Sequence, residues 1–294
     1  MSITSLKDII DAEVNNGYIQ STFRKVPSQV SVSNVWYDLS LAPGTPAPKY
    51  WFDASPLVAQ RVKQSTDGGL FHGASPAPLK KYARQFTYFQ NGATSSAYYY
   101  KMIVCDYLLY YPSVDESITD EQFTDNTNTL TRYTDGVGVQ VMAVNLAART
   151  GGQTFTFTYT NQDGVSGRIS QPARLNAYPS IGMIATSDMA QANSMSPFIG
   201  LQSGDTGVRS IESITMNGVD VGLFALILVK PLFSINQGIT SIGTTWIQLY
   251  EKDLLEGNQL PEIQDDAYIN IITNMSNTAM NTFAHMGSLK TIIA

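Results

Sequence analysis

Charge is scarce in this chain: Asp, Glu, Lys and Arg make up 14% of its 294 residues, against roughly 25% in an ordinary soluble domain. Its surface must therefore be largely neutral and polar, built from Gly, Ser, Thr, Asn and Gln. The formal net charge is −6. Binding a phosphate backbone needs clustered Lys and Arg to displace counterions, so nucleic acid is not an expected direct partner.

Cysteine and histidine are scarcer still. The single cysteine, Cys105, rules out an intramolecular disulfide. It sits in the apolar run Lys101–Tyr110, where a thiol packs as a small hydrophobe. His72 and His285 stand far apart, each without an acidic neighbour, so neither a Ser-His-acid nor a Cys-His arrangement is signalled. No two of these residues have zinc-ligand spacing. Long hydrophobic runs are missing too: nothing approaches the roughly 18 apolar residues of a membrane span. The longest run, Val221–Val229, contains Gly222 and suits a buried strand. The N-terminal residues, Met1–Asp8, show neither the basic segment nor the apolar core of a signal peptide. No membrane partner is expected.

Motifs that carry chemistry are equally thin. Gly136-Val137-Gly138 lacks the third glycine and the following helix of a phosphate cradle. Asp205-Thr206-Gly207 matches the aspartic-protease tripeptide but occurs once, whereas that chemistry needs two carboxylates sharing a proton. Asp205 is read instead as capping a turn ahead of a strand at Val208. Asp115, Glu116, Asp120, Glu121 and Asp125 form an acidic stretch able in principle to hold Ca²⁺, though a solvated acidic loop explains it more simply. Asp205, Asp265 and Asp266 are the carboxylates a glycoside hydrolase would have to bring together. None of these patterns assigns a catalytic residue, metal ligand or cofactor, and the chain is read as non-enzymatic.

What is present is strand patterning. In Thr154–Thr160, Phe155, Phe157 and Tyr159 share one face and threonines the other, the pattern of a half-buried strand. Asn161–Gly164 supplies a turn, and a return strand is expected near Val165–Ser170. Val137–Val144 alternates as another strand. Ser210–Met216, a turn at Asn217-Gly218 and Gly222–Val229 read as a hairpin whose second strand is buried on both faces and ends at Pro231. Asp266–Thr273 reads as a strand, and Trp246–Leu255 is ambiguous in period. Two short helices complete the pattern. Ser5 and Asp8 form a variant capping box ahead of Leu6, Ile9, Ile10 and Val14, predicting an amphipathic helix ending near Gly17. Residues 57–66 predict a second helix, stopped by Asp67-Gly68-Gly69.

Between Pro27 and Pro56 the chain is irregular and proline-rich, and it carries Trp36, Tyr37, Tyr50, Trp51 and Phe52. Such a segment cannot hide its own rings. It is read as an extended arm laid on its own subunit, the favoured option, or on a neighbour. The expected fold is mainly β, an antiparallel sandwich or jelly-roll-like body with a short N-terminal helix and an extended N-terminal arm. Its parts are a helix and arm over 1–56, a β-rich body over 57–240, and a C-terminal segment over 241–294 packed on the body or on a neighbouring subunit.

The chain resembles virion structural proteins of tailed phages, in Trp36–Ser40, Asp106–Pro112, Leu130–Gly136, Tyr159–Gly164, Gly204–Arg209, Leu228–Leu232 and Leu260–Ile263. The resemblance spans nearly the whole chain and transfers no catalytic residues. It implies a capsid decoration or cement protein on the outer face of the head, made in the host cytoplasm. Its partners would be the major capsid protein and its own copies, as a homotrimer. A tail or baseplate subunit, the major shell protein and a glycan-binding receptor protein are the alternatives; the last draws on the 16 Tyr and 3 Trp as sugar-stacking rings, though the apolar setting of Tyr98–Tyr100 and Tyr107–Tyr111 favours core packing. Under the cement reading Trp36, Tyr37, Tyr50, Trp51 and Phe52 contribute the subunit or shell contacts, because large rings dominate binding energy.

Overall fold

A computed structural model describes Ile3 and residues 5–92, 98–176, 180–185, 196–239, 246–255, 260–275 and 280–294. The fold is mainly β, with three antiparallel sheets in a sandwich-like arrangement. The central sheet runs Trp36–Asp38, Tyr268–Met275, Tyr98–Asp115, Leu223–Ile239, Gln140–Asn145. Its two edges are joined through Met183–Ala185. The Ile184 amide donates to the Trp36 carbonyl (2.9 Å) and the Asp38 amide to Gly182 (2.9 Å), while on the other side Asn145 donates to Met183 (2.8 Å) and Ala185 to Ala143 (2.8 Å). The sheet thus closes into a small barrel, satisfying edge groups that would otherwise stay unpaired.

The barrel explains why its long strands are apolar on both faces. Inside lie Trp36, Cys105, Tyr107, Val144, Ile184, Ile227 and Tyr268. Outside, two lobes pack on opposite ends of the same long strands. One lobe is the sheet Trp246–Asp253, Lys81–Gly92, Phe283–Ile293, Tyr18–Lys25, whose Phe23, Phe86 and Leu289 meet Met102, Val104 and Phe233 of the barrel. The other is the sheet Arg168–Ile169, Thr154–Asn161, Val208–Met216, Gln122–Phe123, whose Phe155, Phe157, Ile211 and Ile214 meet Leu109, Val141 and Leu226.

Several sequence expectations hold. The Ser5–Asp8 capping box is formed, and the helix Leu6–Asp11 continues through a π turn, Ala12–Asn16. It stops at Gly17, whose φ of 74° favours glycine. Thr154–Asn161 buries alternate residues as its pattern requires, and Arg168–Ile169 returns against Thr158 and Tyr159.

Others are corrected. Residues 210–229 do not form a hairpin: Val208–Met216 pairs with Thr154–Asn161, while Leu223–Ile239 pairs with Tyr98–Asp115 in a different sheet. A strand buried on one face and one buried on two belong to different layers, and this separates them. Pro231 does not end its strand, because a register shift between Pro231 and Phe233 absorbs the residue that cannot donate. The helix over 57–66 shrinks to Gln64–Asp67, since Leu57 adopts a φ of 59° and Gln60–Arg61 pair with Tyr110 and Leu109. The N-terminal helix buries Ile9 and Ala12 and leaves Leu6, Ile10 and Val14 exposed. The side chains of Tyr98–Tyr100 lie outside the described residues.

Candidate functional site

The segment 27–56 lies on its own subunit. It contributes Trp36–Asp38 to the central sheet, pairing with Ile272–Asn274, and the Lys49 amide returns to the Ser40 carbonyl (3.1 Å). Its five rings divide sharply. Trp36, Tyr37 and Trp51 are buried within the subunit, whereas Tyr50 and Phe52 are 44% and 51% exposed. Trp51 and Phe52 occupy a turn, and with Trp51 turned inward the rings on either side of it stand half in solvent.

Trp51 is held by stacking and by charge. Its ring lies parallel to Tyr107, with centroids 5.5 Å apart, and meets Tyr110 edge-on at 5.2 Å. Its Nε1–H donates to Asp38 Oδ2 at 2.7 Å. Asp38 also accepts from the Tyr107 hydroxyl (2.8 Å), the Ser40 amide (2.9 Å) and the Ser40 hydroxyl (2.6 Å). Burial pushes the Asp38 carboxyl up, and these donors pull the other way, as they must for a carboxylate almost shut off from water.

Two lysines complete the anchorage. Lys25, 1% exposed, donates to the carbonyls of Ser40 (3.4 Å) and Ala42 (3.1 Å). Burial lowers its ammonium to about 8, with Asp38 opposing. Lys49 pairs with Asp53 (2.6 Å) and Asp67 (3.0 Å) and sits over the Tyr110 ring. Tyr37 donates to the Val30 carbonyl at 2.8 Å.

Above this anchorage opens a pocket of about 220 Å³, lined by Pro27, Tyr37, Leu39, Pro43, Tyr50, Phe52 and Ile181 among others. Tyr50 and Phe52 stand at it with centroids 5.4 Å apart. Asp38 also lines the pocket, but its oxygens are already engaged, so what the pocket presents outward is mainly aromatic and aliphatic surface. This is an arrangement for binding by contact area.

The other sequence candidates are dispersed. His72 and His285 are both fully buried; His72 Nε2 contacts the Ala267 carbonyl (2.9 Å) and His285 Nδ1 the Tyr88 hydroxyl (2.7 Å). Asp205 does not cap a turn. It accepts from Arg168, Tyr159 and Asn161, which ties a return strand to its sheet. Asp265 bonds Ser75 and Lys81, and Asp266 bonds Ser65. In the acidic stretch, Asp115 caps Ser117, Asp125 caps Thr127, Glu121 accepts from Ser213, and Glu116 turns inward to Arg149 at 3.3 Å. Among the described residues no three His, Cys, Asp or Glu side chains group as a metal site.

Two buried ion pairs escaped the sequence reading. Arg132 grips Asp106 through two bonds of 2.8 Å, and Arg149 meets Glu116. An aspartate inside the apolar run 101–110 was the available signal for the first, since a carboxylate there needs a cation. No local pattern marks the second.

No protein-family model matches the chain, and no curated protein matches it. Among solved structures it is weakly similar to infectious bursal disease virus of the Gx strain, at 8% identity and a TM-score of 0.21, over 94% of this chain and 80% of that one. The crystal structure of the VP2 subviral particle of the same virus compares at 7% identity and a TM-score of 0.17, over the same shares.

Proposed function

We propose that this chain is a non-enzymatic structural protein of a virion, and within that class a phage-head decoration or cement subunit that bridges copies of the major capsid protein. The observation that supports the reading is the Tyr50–Phe52 pair, exposed at an apolar pocket and backed by the fixed Trp51–Asp38–Tyr107 knot. Exposed aromatics on a rigid support lose little conformational freedom on docking, which is what makes them binding hot spots. The charge-poor surface adds to this, because few ions must be desolvated when a wide contact closes.

The test has two parts. Quantitative mass spectrometry of purified particles should find several hundred copies; a few tens or fewer would move the role to a baseplate or receptor, and absence would sink it. Tyr50→Ala with Phe52→Ala should weaken binding to empty shells by at least about a hundredfold, while leaving the subunit folded. Unchanged shell binding would remove these rings from the contact.

A further inference from the structure

Three crossings of the chain between the barrel and the second lobe meet in one buried cluster of charge. Residues 116–121 lead from Tyr98–Asp115 of the barrel to Gln122–Phe123 of the lobe, and residues 146–153 lead from Gln140–Asn145 to Thr154–Asn161. Residues 217–222 return from Val208–Met216 to Leu223–Ile239. Each crossing turns one charged side chain inward: Glu116 is 0% exposed, Arg149 7% and Asp220 4%.

The cluster is short of donors. Among the described residues neither oxygen of Glu116 accepts a hydrogen bond, nor does Asp220 Oδ2. The Arg149 guanidinium lies 3.3 Å from Glu116 Oε1 but donates to Asn145 Oδ1, while Asp220 Oδ1 is taken by the Thr150 hydroxyl and the Val221 amide. A buried carboxyl without donors favours its neutral form. Burial raises the Glu116 carboxyl to about 7 against the pull of Arg149, with Asp220 and Asp115 adding to the rise. The joint itself is held by polar contacts. Val219 and Val221 are 65% and 67% exposed, and Asp220 is the buried side chain of the 217–222 turn. The Asp220 amide donates to the Glu116 carbonyl (2.9 Å) and the Glu116 amide to the Gly222 carbonyl (3.2 Å). Gly222, at a φ of 144°, packs so closely that a Cβ there would meet Arg149 Cβ at 3.0 Å and Glu116 Oε1 at 3.1 Å.

We propose that this cluster is an acid-closed hinge between the barrel and the second lobe: with Glu116 protonated the three crossings lock together, and as Glu116 loses its proton to solvent the 217–222 turn lifts and the joint loosens. Protonated, Glu116 leaves Arg149 a single carboxylate to balance, that of Asp220. Ionised, it leaves two carboxylates against one cation away from water, and lifting the turn lets water reach them. In the open state the Glu116 carboxyl returns toward its ordinary 4.5. Between that value and about 7 the closed state holds a proton that the open state has released. Opening is therefore favoured about tenfold more for each pH unit across that window and levels off above it. The hinge is a property of the purified chain, so it stands or falls separately from the role proposed above.

The test is amide hydrogen exchange of the full chain, expressed at each pH as protection relative to the unstructured-chain rate. From pH about 5 to about 7, protection across 114–118 and 217–222 should fall by at least about tenfold, while the strands Thr154–Asn161 and Val208–Met216 keep theirs. Glu116→Gln fixes the uncharged form and should hold protection constant across the joint. Asp220→Asn removes the competing carboxylate and should shrink the fall, which keeps the test decisive if the first variant folds poorly. Protection across the joint that ignores pH in the wild type would overturn the proposal. So would a fall shared equally by the two lobe strands, which is global unfolding, or a fall undiminished in either variant.

Discussion

Trp51→Ala should cost the isolated subunit about 4–6 kcal/mol of unfolding free energy, and the figure follows from what the ring touches. Trp51 is 0% exposed and stacked among Tyr107, Tyr110 and Tyr268; emptying such a site removes about 3–5 kcal/mol. Its Nε1–H is one of four donors to the buried Asp38 carboxylate. Losing that bond adds about 1 kcal/mol, below the usual range for a charged acceptor because three donors remain. Trp51→Phe keeps an aromatic ring and loses the donor, so about 1.5–3 kcal/mol is expected. Tyr50→Ala, one residue away, should stay within about 1 kcal/mol because Tyr50 is 44% exposed and lies outside the buried knot. Urea unfolding followed by far-ultraviolet circular dichroism separates these cases, provided the dependence on denaturant is unchanged, so that midpoints report stability. A Trp51→Ala subunit within about 1 kcal/mol of wild type would mean that the arm is not anchored by this knot. The pocket above it would then lose its claim to be preorganised.

Two further outcomes follow from buried groups. Burial raises the Glu116 carboxyl to about 7, with Arg149 opposing and Asp220 adding to the rise, from an unfolded value near 4.5. Between those values the native state holds the proton that the unfolded chain has released, so stability falls as pH rises from about 4.5 to 7; Glu116→Gln should flatten that decline by on the order of 2 kcal/mol, and identical slopes would refute it. Cys105 is fully buried and its thiol is pushed up by burial, with Asp38 and Asp106 adding to the rise; an aromatic disulfide reagent should therefore label it only after unfolding, and rapid labelling of the native chain would contradict the barrel interior.

Much of the local structure was legible because it depends on near neighbours. The capping box of Ser5 and Asp8 and the alternation of Phe155, Phe157 and Tyr159 are written in a few adjacent residues. The arm was legible as an aromatic segment needing a surface to lie on. Its inside and outside were not separated: Trp51 and Phe52 lie in a turn, which carries no alternation to read, and Trp51 is the ring turned in because Asp38, Tyr107, Tyr110 and Tyr268 receive it. Strand partnership was the least legible layer. Val208–Met216 and Leu223–Ile239 look like hairpin neighbours, and the evidence against that lies far away, in the apolar face of Thr154–Asn161 and the long strand Tyr98–Asp115.

The closing strand shows why such information is hard to see in sequence. Met183, Ile184 and Ala185 carry no alternation of polar and apolar residues, and by pattern they are a loop. Each nevertheless faces a different core: Met183 packs with the first lobe, Ile184 inside the barrel and Ala185 with the second lobe. A strand that is apolar at every position is what this place requires, since both of its faces are covered and both of its edges are bonded. The three residues thereby link both lobes to the barrel wall beside the arm, through the bridge from Tyr37 to Met183. Tyr37 lines the pocket at which Tyr50 and Phe52 stand, so the proposed docking surface rests on barrel closure as well as on the knot beneath it.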